Sequence, residues 1–148
     1  IQAPGYAHLT VATEMARPDS LLHFTRRILH LRRAHPVLGR GSFLLRPTSD
    51  DAVLAHTRCD EAAVEGAETL LCVANLSSTP RSVTIEVPEL TGKGTTDLFG
   101  GCAFPPVDDR GSLTLTLGAR GYYWLSVDRT EPDDAPQDDH DNHPTEEV

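Results

Sequence analysis

The sequence predicts a mainly β fold, an antiparallel β-sandwich of about seven strands preceded by one amphipathic helix. Three observations predict it. From Ser42 to Val127, apolar residues fall in short runs with a period of two. Clusters of Gly, Pro, Asp, Asn and Ser separate those runs. Ahead of them, "DSLLHFTRRILHLRRAHPVLGRG" (Asp19–Gly41) has helical periodicity and helix boundary signals at both ends. A length of 148 residues suits one ordinary domain with a real core, or a small domain plus a piece of another.

The helix is expected over about residues 19–35. Pro18, Asp19 and Ser20 supply its start: Pro is tolerated in the first turn, and Asp or Ser accepts a hydrogen bond from a free N–H. His35-Pro36 and Gly39 stop it. At about 100° per residue, Leu21, Leu22, Phe24, Ile28, Leu29 and Leu31 cover an arc of roughly 180°, and His23, Arg26, Arg27, His30 and Arg33 fill the opposite arc. So wide an apolar arc implies more than one neighbour. Arg32 falls near its centre, where a buried guanidinium costs several kcal/mol unless it is paired. Arg32 is therefore expected to be clamped by an acid from the β unit or from a part of the protein outside this chain. The competing expectation is a snorkelling side chain at the edge of the arc.

The strand runs follow in order: "SFLLR" (42–46), "AVLAHTR" (52–58), "TLLCVAN" (69–75), "RSVTIEV" (81–87), "TDLFG" (96–100), "SLTLTL" (112–117) and "GYYWLSV" (121–127). Alternation points Val83, Ile85 and Val87 inward, and likewise Leu113, Leu115 and Leu117. "TLLCVAN" is apolar on both faces and should be a central strand, covered on each side. "YYW" splits between two faces, Tyr123, Leu125 and Val127 on one, Tyr122, Trp124 and Ser126 on the other. The turns carry their own chemistry in "PTSDD", "CDEAAVEGAE", "NLSSTP", "TGKG", "VDDRG" and "GARG".

The net charge of −9 belongs to one end. Residues 128–148 hold nine acids and one base, which leaves 13 acids and 12 bases before them. This tail has too few apolar side chains to offset the entropy of ordering and is expected to be disordered. Its His140 and His143 make a poor metal site. A body near neutrality with an acidic tail disfavours nucleic acid as a partner, so Arg26, Arg27 and Arg33 are read as a solvated face. No apolar run approaches the ~20 residues of a membrane span, and no leader is seen at the front, so no membrane partner is expected and the setting is taken as cytoplasmic. Cys59, Cys72 and Cys102 lack zinc or disulfide spacing, and Cys72 suits a small buried hydrophobe. No metal or cofactor is called for. The adjacent pairs Asp50-Asp51 and Asp108-Asp109 sit in turns, where accepting backbone N–H bonds is the better reading than catalysis.

Five stretches carry a family resemblance: "GYAHLTVATEMARPDSLLHFTRRILHLRRAHPVLGRGSF" (5–43), "VLAHTR" (53–58), "LLCVANLS" (70–77), "DLFGGCAFPPV" (97–107) and "LTLGARGYYWLSV" (115–127). They resemble the C-terminal portion of the trehalose synthase (maltose α-D-glucosyltransferase) family, within the α-amylase superfamily, glycoside hydrolase family 13. "VANLS" is widespread in amylase-like C-terminal domains; "LFGG", then "FPP", then "LGxxGYYW" is the narrower signal. The sequence departs at Thr10–Glu14, where the family has Asn-Val-Glu-Ala-Gln.

The resemblance implies three regions: residues 1–41 as the end of a catalytic (β/α)8 barrel with its last helix, 42–127 as a C-terminal β-sandwich of the amylase type, and 128–148 as a tail. It also implies that the family's Asp nucleophile, Glu acid/base and second Asp lie on barrel strands outside this chain. The retaining mechanism needs its two carboxyl groups about 5 to 5.5 Å apart on a rigid frame. The expected role is thus a non-catalytic domain or fragment that covers and braces a barrel, in cis or in trans. The alternative is a stand-alone carbohydrate-binding sandwich that stacks an α-glucan on Tyr122 or Trp124. Arg32, Tyr122 and Trp124 are the candidate interface residues, and no catalytic residue is assigned.

Overall fold

The structure, a computed structural model, describes residues 5–6, 10–60 and 67–128. The acidic tail from 129 onward, with His140 and His143, and most of the acidic loop "CDEAAVEGAE" lie outside them. The order is α1 (Val11–Met15), α2 (Leu21–Ala34), α3 (Val37–Arg40), then β1 (Ser42–Leu45), β2 (Val53–Cys59), β3 (Thr69–Asn75), β4 (Arg81–Glu86), β5 (Thr95–Asp97), β6 (Ala103–Phe104), β7 (Ser112–Leu117) and β8 (Tyr122–Val127). A six-stranded sheet, ordered β1-β2-β3-β8-β5-β6, faces the two-stranded ribbon β4-β7, and every pairing is antiparallel.

The core lies between the two sheets and is made by the predicted alternation. Leu71, Val73, Leu125 and Val127 from the large sheet meet Val83, Ile85, Leu113, Leu115 and Leu117 from the ribbon. β3 runs between β2 and β8, and Leu70, Leu71, Cys72 and Val73 are all buried, as a strand covered on both faces requires. The Asn of "VANLS" has a structural task. Asn75 is buried, donates to the carbonyls of Thr79 and Gly118 (both 2.8 Å) and accepts from the Ser77 N–H (2.9 Å), tying two loops to the end of β3. Thr57 is the other inward polar group of note, and Arg46 satisfies its hydroxyl through Nε (3.0 Å) and Nη2 (2.8 Å).

Among the described residues eight strands form, in keeping with the expectation of about seven. Three expectations need correction. "TDLFG" is strand only over Thr95–Asp97, because Asp97 turns the chain: its Oδ2 accepts from the Gly100 N–H (2.6 Å), its carbonyl accepts from Gly101 (2.8 Å), and Gly101 takes φ +68°. The chain then returns as β6, a two-residue strand too short to have a period. Two short helices flank the expected one, and α1 forms where the sequence departs from the family pattern, with Thr10 Oγ1 capping the Thr13 N–H at 3.2 Å. Finally, Pro18 lies ahead of the first turn of α2; Ser20 is the N-cap, accepting from the His23 N–H (3.4 Å) and donating to the Glu14 carbonyl (2.7 Å). The passage "GRGSF" requires its second glycine: a Cβ on Gly41 would stand 2.7 Å from the Val37 carbonyl oxygen and 2.8 Å from that of Cys59.

Candidate functional site

The outer face of the large sheet is where the helix and the sandwich meet. Register places His56 of β2, Cys72 of β3 and Trp124 of β8 in one cross-strand row, with Leu54, Ala74 and Tyr122 in the neighbouring row. Successive residues on these strands alternate faces, so the residues opposite the core converge here. The split read from "YYW" is the observed one. Leu125 and Val127 are core, Tyr123 packs against it, and Tyr122 and Trp124 lie on the outer face.

An aromatic cluster joins α2 to that face. Phe99, from the turn after β5, has its ring centroid 5.1 Å from Tyr122, 5.2 Å from Trp124 and 6.5 Å from Phe24 of α2, and Phe24 is 6.0 Å from Tyr122. Most of these pairs are edge-to-face, the geometry that sets a ring's positive edge against a negative face. Arg27 completes the cluster. Its guanidinium lies 5.5 Å from the Phe99 centroid, and its Nη2 donates to the Phe99 carbonyl. Arg27 is exposed, and on that open face it also touches Phe99. The sequence signal was available in "LFGG", but spacing alone does not say which helix residue meets Phe99.

Two cavities open along this junction. One, of about 480 Å³, is bordered by Asp19, His23, Phe24, Arg27, Phe99 and Tyr122. The other, of about 220 Å³, is bordered by Arg32, Phe43, His56, Arg58, Cys72 and Trp124. Among the described residues Arg32 has no hydrogen bond or ion pair, so no described carboxylate of the β unit clamps it. Arg58 is held in place. Its Nη2 donates to the Leu38 carbonyl (3.1 Å), its Nε to that of Val37 (3.4 Å), and its guanidinium lies 5.8 Å from the centre of the Phe43 ring. His56 stacks on Phe43 at 4.5 Å, and its buried Nδ1 has no hydrogen-bond partner.

The shifted titrating groups collect on this face. Burial pushes His56 below the ordinary histidine value, and the Arg58 cation pushes the same way. Burial drives the Cys72 thiol up to about 11, against the opposing pull of Arg58. Burial also raises the Tyr122 phenol, partly offset by Arg27 and reinforced by Asp97.

Elsewhere Asp50 and Asp108 serve their turns. Asp50 Oδ1 accepts from the Ala52 N–H (2.8 Å), and Asp108 Oδ1 accepts from those of Arg110 (3.0 Å) and Ser112 (2.7 Å). No group of three or more His, Cys, Asp or Glu residues able to hold a metal occurs among the described residues. Among the same residues, no helix is long and apolar enough to cross a membrane.

Residues 43–124, from β1 into β8, match the model of the maltogenic amylase C-terminal domain. The chain belongs to that family. The wider match reaches past the amylase C-terminal domain itself. A trehalose synthase from Pimelobacter sp. is 38% identical over 135 residues, 90% of this chain and 23% of that protein. A trehalose synthase/amylase TreS from Mycobacterium tuberculosis is 34% identical over 123 residues, 83% of this chain and 20% of that one. A match to 90% of the chain takes in α2 as well as the sandwich. Among solved structures, the trehalulose synthase MutB from Pseudomonas mesoacidophila MX-45 superposes with a TM-score of 0.59 at 27% identity, over 84% of this chain and 21% of that one. The chain thus spans between a fifth and a quarter of the length of these relatives.

Proposed function

We propose that this chain is the non-catalytic C-terminal part of a trehalose-synthase-like enzyme that interconverts maltose and trehalose, with α2 serving as the last helix of its (β/α)8 barrel and the sandwich bracing it. The observation that carries this reading is the unspent half of the helix. α2 contains no fully buried residue, because only its Phe24 and Ile28 side is turned to the sheet junction. Leu21 is 72% and Leu29 52% exposed, and on the neighbouring α1 Val11 is 67% and Met15 53% exposed. Each such side chain gains about 1.5–3 kcal/mol when fully buried, so together they leave apolar surface that a barrel would cover.

A graft tests the reading. Residues 10–128 replace the matching segment of the Pimelobacter trehalose synthase, and maltose turnover is assayed. The expected result is an active chimera that is inactivated or destabilised by Leu21→Glu with Leu29→Glu, while residues 1–148 alone form no trehalose. Turnover by the isolated chain, or a chimera indifferent to both substitutions, contradicts it. The α-glucan reading is less well supported, since the rings of Tyr122 and Trp124 are already engaged by Phe99.

A further inference from the structure

We propose that the 220 Å³ cavity between α2 and the outer sheet face is an oxyanion site, in which Arg32 and Arg58 hold a phosphate- or carboxylate-type group against Trp124. The inference does not depend on the docking of α2 to a barrel. It begins with charge. Two guanidiniums border one cavity, and no Asp or Glu is among the described residues that line it. Two cations on the walls of one cavity with no acid among its described lining give it a positive potential that favours an anion.

The donors are prepared for such a group. The Val37 and Leu38 carbonyls take Nε and Nη2 of Arg58, so the plane of its guanidinium is fixed before anything binds. Nη1 of Arg58 has no hydrogen-bond partner among the described residues, and Arg32 has its whole fork free of them. Guanidinium forks match the paired oxygens of carboxylate and phosphate, which lysine does not. His56, which stacks on Phe43, forms part of the same wall. The size also fits. At about 30 Å³ per water, the cavity has room for about seven waters, enough for a four-oxygen anion with part of its hydration.

Trp124 is the single tryptophan of the chain and borders the cavity, which makes its emission the readout. The 148-residue chain is titrated with potassium phosphate, and separately with potassium acetate, at constant ionic strength maintained with potassium chloride. The expected result is a saturable change in Trp124 emission that weakens about tenfold in Arg32→Gln, the loss of one charge-assisted contact. Arg32 is exposed, so this substitution leaves the sandwich melt unchanged. Arg58→Lys, which keeps the charge and loses the fork, also weakens the response. Preference for phosphate identifies a free oxyanion as the occupant; preference for acetate identifies a side-chain carboxylate from elsewhere in the protein. A response that is absent, linear, matched by chloride alone or unaltered in Arg32→Gln overturns the proposal.

Discussion

The two faces of the six-stranded sheet solve different problems. The inner face is closed by the β4-β7 ribbon, and Leu71, Val73 and Leu125 there are at most 1% exposed. The outer face is covered in part by α2, where rings and a guanidinium meet the sheet beside Ile28, and Tyr122 keeps 38% of its surface. The inner face is complete within the chain. The outer side ends in a helix whose remaining apolar surface faces solvent. The difference separates a core closed on itself from a helix that keeps apolar surface exposed.

That contrast is sharpest in the size of substitution effects. Leu71→Ala opens a cavity in the inner layer and should cost about 2–5 kcal/mol, read as a large fall in the midpoint of chemical unfolding. Phe99→Ala removes the rings' common partner on the outer side. A smaller loss of about 1–2 kcal/mol is expected, with a change in Trp124 emission that Leu71→Ala does not produce below its own transition. If Phe99→Ala costs as much as Leu71→Ala, the two faces are not energetically distinct.

The smallest effect is a pH dependence confined to the outer face. His56 is held below its ordinary value of 6.5, so its neutral form is favoured by folding. Its contribution is fully present above pH 6.5 and is lost as the pH falls through the lowered folded value. Urea midpoints measured at pH 7 and at pH 5 should therefore differ less in His56→Gln than in the parent chain. An equal difference in both would remove His56 as the source.

Much of this was legible in the sequence, for reasons that differ by element. β4 and β7 alternate cleanly because one face of each is wet, so Val83, Ile85, Leu113 and Leu115 announce the core. The double-sided apolar character of Thr69–Asn75 likewise announced a central strand. β6 was not legible, because two residues after a turn made by Asp97 have no period to read. In α2 the breadth of the apolar arc was plain, but periodicity does not say which half meets the sheet. Phe24 and Ile28 turned out to face it, and Leu21 and Leu29 did not. Arg32 stood out as misplaced, yet its neighbours His56 and Arg58 did not. On a strand they read as ordinary polar alternation until the helix is placed across them.

The claim that the sandwich is complete while the helix is made for a neighbour is tested most directly by native-state hydrogen exchange on the 148-residue chain. Amides of β3 and β8 should exchange only through global unfolding, and those of α2 about a hundredfold faster through local opening. Protection of α2 equal to that of β3 and β8 would contradict the account, since it would mean that the helix is already fully packed without a partner.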